Sequence, residues 1–212
     1  KLKRFVKGRP GSLLLVEFAG EELDSLKHKL HELDELMAVH GFPDAVVEAI
    51  APKLQKEVWD VRKSGLNNMM SMKGDGKPVS CIEDCAVELP DLAEYTSRLN
   101  ELFEKYGTTG TWYAHASVGC LHVRPVLNLK QEMEAKKLRA ITEETFAIVR
   151  EYKGSHSGEH GDGLVRSEFH EVMYGKRLVK AFEKIKRIFD PSDLLNPGKI
   201  VQPSRMDDRR LF

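Results

Sequence analysis

The chain has 212 residues, 41% hydrophobic and 31% charged, which suits one large globular domain or a domain with an appendage. Lys+Arg and Asp+Glu both number 33, so the net charge is zero and the basic excess of a general nucleic-acid binder is absent. No apolar run is long enough to span a bilayer, and three cysteines without framework spacing point to a reducing, cytoplasmic setting. The chain starts at Lys1 with no apolar signal region and reads as a piece of a longer protein. The basic runs Lys1–Arg4 and Arg205–Arg210 read as solvated ends.

Taken in order, Ser12–Ala19 is a mostly apolar run and is expected to be a strand. A helix follows from Gly20 to about His40, with Leu23, Leu26, Leu30, Leu33 and Met37 as its apolar stripe. Val46–Ile50 is a second candidate strand. Pro52 to about Ser71 is expected to be helical, with Leu54, Val58, Val61 and Leu66 facing a core. Met69, Met70 and Met72 read as core filling. After the loop Lys73–Pro78, Val79–Val87 is expected to be a strand. Its cysteines, Cys81 and Cys85, would face one side as core residues. Its acids, Glu83 and Asp84, would need water or a partner. A helix from Pro90 to Tyr106 carries Leu92, Tyr95, Leu99, Leu102 and Phe103 on one stripe, and Gly107 ends it.

Strands Thr109–Ala116 and Cys120–Val126 then flank a turn at Val118-Gly119. In that hairpin His115 lies directly opposite His122, with Cβ atoms roughly 4.5–5.5 Å apart, close enough to share a metal ion. Two ordinary strand histidines are the plain alternative. Downstream, a long helix is expected over 130–152, a shorter one over 168–174 and another over 176–189. The end breaks into turns at Pro191 and Pro197. The pattern is α+β: an antiparallel β-sheet with helices packed on one face, plus a helical C-terminal segment.

Between the long helix and that segment, Ser155–Gly163 holds His156, Glu159, His160 and Asp162 among three glycines. Glu159 supplies an oxygen ligand and His160 a ligand or a base. One Glu with two histidines is a catalytic zinc set with a position left open. A flexible polar surface loop is the alternative. Asp162 and Arg166 suggest a salt bridge holding this loop, unless Arg166 touches substrate. His156 and His170 read as surface residues.

Three segments resemble the C-terminal domain of FAD-linked oxidases of the vanillyl-alcohol-oxidase type, which include D-lactate, D-2-hydroxyglutarate and glycolate dehydrogenases. His115-Ala-Ser-Val-Gly-Cys-Leu-His122 is similar to the family's His-x-Gly-Asp-Gly-Asn-Leu-His. Gly158-Glu-His-Gly-Asp-Gly163 is similar to its Gly-Glu-His-Gly-x-Gly, and Asp190–Lys199 to its closing Asp-Pro-x-x-Leu-Leu-Asn-Pro-Gly-Lys. With the element order, the likeness covers most of the chain, 1–212, as a sheet-and-helix substrate domain over 1–152 followed by the Glu-His loop and helical segment over 153–212.

The resemblance implies a ferredoxin-like sheet and a divalent metal, zinc first, on His115, His122 and Glu159. It implies His160 as proton acceptor, Arg62 on the substrate carboxylate, and Asn196 and Lys199 near the flavin. Arg124 is a further candidate for the carboxylate. The FAD would come mostly from an N-terminal domain outside this chain. The form around Trp112 looks like large members fused to an iron–sulfur domain. The chain departs from the family pattern at Val118, Cys120, Leu66, Ile82 and Arg124, so the pocket is not the family's standard one.

The expected activity is oxidation of a small 2-hydroxy acid by hydride transfer to FAD, with no nucleic-acid partner and with the fragment inactive alone. A homo-oligomer and a peripheral inner-membrane location are further expectations. A metal-dependent hydrolase and a non-catalytic docking domain are the rival readings.

Overall fold

The computed structural model describes residues 4–208 and 210, apart from the side chains of Leu66 and Asn68. The readings made on Lys1–Lys3, on Arg209 and on the Leu66 side chain lie outside the described residues. The chain forms two compact units, Lys1–Asn68 and Met69–Phe212.

In the first unit, α1 (Leu23–Val39) forms where the leucine stripe places it, and α2 (Pro52–Met70) begins at its N-terminal proline. Proline suits a first helical turn because its missing N–H would be unpaired there anyway. Leu26, Leu30, Leu33 and Met37 are half-buried. The strands expected at Ser12–Ala19 and Val46–Ile50 do not form. A strand is held by a ladder to a neighbour, and among the described residues neither stretch has one. Leu13 to Val16 are exposed instead. So are Met70 and Met72, against their expected core role.

The second unit contains β1 (Lys77–Pro78), β2 (Cys85–Ala86), α3 (Leu92–Lys105), β3 (Gly110–Thr111), β4 (Ala114–His115), β5 (Cys120–Leu121), β6 (Arg124–Leu127), α4 (Glu132–Glu151), α5 (Gly163–Arg166), α6 (His170–Tyr174) and α7 (Lys176–Phe189). The strands pair antiparallel in two three-stranded sheets, β1-β6-β3 and β2-β5-β4. The long strands expected here are thus broken into short ones. Asp84 sits at φ +75°, a left-handed value that no strand tolerates, and it interrupts the first of them.

The hairpin register also differs from expectation. A 3-10 turn over Ala116–Val118 and Gly119 at φ +68° replace the two-residue turn. His115 therefore pairs with Cys120, and the His122 N–H donates to the Tyr113 carbonyl at 2.6 Å. Gly119 is required for this: a Cβ there would lie 1.9 Å from the Val87 carbonyl oxygen. The two histidines become diagonal neighbours on one face, still within reach of each other's rings.

The core lies between α3, α4 and the strands. Tyr95, Leu99 and Phe103 of α3 meet Leu138, Ile141, Phe146 and Val149 of α4, with Leu121 and Leu127 from the sheets and Ile82 and Val123 from the segments beside the strands. Burying such a side chain contributes roughly 1.5–3 kcal/mol each. The α+β class expected from the element order is the one formed. Cys81 and Cys85 are core residues as expected, and burial pushes both thiols up to about 12.

Candidate functional site

The turn before β2, the hairpin and the loop after α4 converge in the second unit. His115 ends β4, and His122 sits between β5 and β6 where the ladder breaks. Glu159 and His160 ride on the loop. Glu159 Oε1 lies 3.0 Å from His122 Nε2, 3.3 Å from His115 Nε2 and 3.6 Å from His160 Nε2. The His115 and His122 rings meet edge-on at 5.1 Å, and His122 and His160 stack at 4.8 Å.

Asp84 holds the loop in place. Its carboxylate accepts the backbone N–H of Glu159 at 3.0 Å and of His160 at 2.9 Å, and the Ser157 hydroxyl at 3.3 Å. The Asp84 carbonyl accepts the Gly158 N–H at 2.7 Å. Burial pushes this carboxyl up, but the His160 and Glu159 amides and the charges of His160 and Arg166 outweigh it and hold it below its ordinary value. The fit at Gly158 is tight: a Cβ there would stand 3.0 Å from Cys120 Sγ and 3.1 Å from the Asp84 carbonyl oxygen.

Glu83 is the second organiser. It pairs with Arg124 through both Nε and Nη2, and its Oε1 lies 3.3 Å from His160 Nδ1. Arg124 is thus anchored to Glu83. Arg166 is buried, and it donates to the Gly161 carbonyl at 2.7 Å and the Glu83 carbonyl at 2.5 Å. The expected Asp162–Arg166 salt bridge is not formed, because Asp162 faces His170 at 3.1 Å instead. His156 and His170 are buried, not surface residues: aromatic rings surround both.

Burial is the main force pushing the His122 pKa down, reinforced by His160 and His115 and opposed by Glu159. A neutral imidazole is the ligand form. His122 Nδ1 is buried without a hydrogen-bond partner. Ligand atoms about 2.1 Å from a tetrahedral ion stand roughly 3.4 Å apart, and the separations from Glu159 Oε1 to His122 and His115 match that spacing. Asp84, His122, Glu159 and His160 each offer a ligand atom within 4.8 Å of the others, a group that leaves out His115. His122 and Glu159 are thus the donors common to that group and to the expected set, and their chemistry suits a divalent ion.

Arg62 belongs to α2 in the first unit, and burial lowers its pKa. Asn196 and Lys199 line a groove with Phe182, Ile185, Phe189 and Ile200, which shares no residue with the histidine cluster. Sequence reading missed Asp84 and Glu83 as organisers. Their one signal was a pair of acids inside an apolar run.

A family model described as FAD linked oxidases, C-terminal domain, matches residues 3–200. The chain belongs to that family. A D-2-hydroxyglutarate dehydrogenase of Escherichia coli is 30% identical over 201 residues, covering 92% of this chain and 20% of that protein. One of Pseudomonas putida is 33% identical over 195 residues, covering 89% and 19%. A D-lactate dehydrogenase of Anaerostipes hadrus is 30% identical over 193 residues, covering 90% and 39%. This FAD-linked oxidase C-terminal domain thus spans about a fifth of the first two relatives and two fifths of the third.

Proposed function

We propose that this chain, over 1–212, is the substrate-side domain of a flavin-dependent dehydrogenase that oxidises a 2-hydroxy acid of the D-lactate, glycolate or D-2-hydroxyglutarate type. The observation that carries this reading is the approach of three imidazoles to one oxygen of Glu159, in a chain of this family. The relatives that carry those activities add support.

In this reading His115, His122 and Glu159 hold a divalent ion, zinc first. When bound, the ion would lower the pKa of the substrate hydroxyl, and FAD from an N-terminal domain would accept the hydride. His160 takes the hydroxyl proton on Nε2, while Glu83 fixes its ring by receiving Nδ1. Arg124, held rigid by Glu83, and Arg62 are the cations for the substrate carboxylate. Asn196 and Lys199 serve the flavin side.

The test uses the full-length protein, including any iron–sulfur domain, with a panel of D- and L-2-hydroxy acids. One acid should bleach the flavin. His160→Ala should lower that rate about 10²–10⁴-fold, as expected for a lost general base, and His115→Ala should lower it together with metal content. Metal bound with no bleaching by any acid would overturn the 2-hydroxy acid reading in favour of a substrate outside that class or of a hydrolase.

A further inference from the structure

A second set of ligand-type side chains converges in the interior of the second unit. His156 precedes the Glu-His pair on the loop, Asp162 follows it, and His170 opens α6. His170 Nε2 lies 3.1 Å from Asp162 Oδ2, and His156 Nε2 lies 3.7 Å from Asp162 Oδ1. One ligand atom of each residue falls within 4.8 Å of the other two.

Both imidazoles are buried, His156 to 0% exposure and His170 to 2%. His156 Nε2 and Asp162 Oδ1 nevertheless have no hydrogen-bond partner, and His170 Nε2 meets Asp162 Oδ2 only as a close charge contact without hydrogen-bond geometry. A buried polar atom left unpaired costs about 1–3 kcal/mol, so native folds satisfy nearly all of them. Here the orphaned atoms cluster together, spaced like ligands on one ion.

The surroundings support an ion more than a network of side chains. The Tyr174 hydroxyl lies 3.5 Å from His156 Nδ1, the outer partner that a ligating imidazole commonly has. Phe146 packs edge-on against His156 at 5.1 Å, and Phe182 against His170 at 5.8 Å. The two imidazoles sit against aromatic walls, while the Asp162 side is part-exposed, so a water there could complete four-coordination around an ion held by three side chains. The chemistry of two imidazoles and one carboxylate selects a borderline divalent transition metal over calcium or magnesium, which take oxygen ligands.

We propose that His156, Asp162 and His170 form a second metal site, which takes one divalent transition-metal ion of the zinc type and ties the Glu-His loop to α6. This site is separate from the ligand set of His115, His122 and Glu159 and does not depend on the proposed reaction.

The test measures metal stoichiometry in the full-length protein and in His156→Leu, His170→Leu and His122→Ala. Domains beyond this chain can carry metal of their own, so each variant is read against the wild type. His156→Leu and His170→Leu should each lose one equivalent, and His122→Ala a different one, with the losses additive in the His156→Leu/His122→Ala double variant. If only His122→Ala loses metal, the second site is overturned; if only the other two do, the second site stands and the first falls. Because a core variant can fail to fold, anomalous scattering from wild-type crystals grown with zinc decides independently. A peak among His156, Asp162 and His170 supports the site. A water, or no density there, overturns it.

Discussion

Asp84 is where one residue does most for the candidate site. Its carboxylate is fully buried and takes the amides of Glu159 and His160, so a single side chain sets the height of both candidate residues. Asn is the informative replacement, because it keeps the shape and tolerates the left-handed φ of +75°. It removes the charge and turns an NH₂ towards backbone donors. Hydrogen bonds to a charged group are each worth about 1.5–3 kcal/mol, so Asp84→Asn should lose about 2–4 kcal/mol. At roughly 2–4 °C per kcal/mol for a chain of this size, thermal melting should fall by about 5–15 °C. An unchanged melting temperature would show that the loop is held by something else. None of this was legible beyond the oddity of Glu83-Asp84 between two cysteines. The histidines and Glu159 were legible, because their types and motif spacing carry the chemistry whatever the exact register.

Among the elements, α7 and the turn after it show how a helix end is fixed. Lys186 pairs with Asp190, whose carboxylate also accepts the N–H of Leu194 at 2.9 Å and of Leu195 at 2.8 Å. The Lys186 ammonium first, then the two amides, hold the Asp190 carboxyl down to about 2. An unfolded Asp titrates near 3.9. The depressed value means that this clamp contributes fully above about pH 4. It is lost as pH falls from about 4 through 2. The amide resonances of Leu194 and Leu195 should therefore titrate near pH 2. A midpoint near 4 would show that the clamp does not form in solution. The helix itself was readable from its periodicity, and the side-chain clamp was not.

At the scale of the whole molecule, the two units differ in kind. Among the described residues of the first unit none is buried, whereas the second unit carries the entire buried core. Exchange protection follows burial and hydrogen bonding. Amides of α1 should exchange much faster than those of α3 and α4, and limited proteolysis should cut first within 1–68. Equal protection of α1 and α4 would sink this expectation. In a full-length protein, protection of α1 that appears only beside the FAD-binding domain would identify that domain as what covers it.

The sequence by itself determined the helices, the α+β class, the family and the histidine and glutamate motifs. Helix periodicity and motif spacing are local properties, written in consecutive residues. Tertiary structure alone decided the strands, the register and the partners. A strand exists only through a neighbour distant in sequence, which is why Ser12–Ala19 stays irregular and Val79–Val87 breaks at Asp84. The close approach of Gly119 to Val87 set His115 opposite Cys120 instead of His122. Burial of His156 and His170 against Phe146 and Phe182 likewise depends on helices that meet only in the fold.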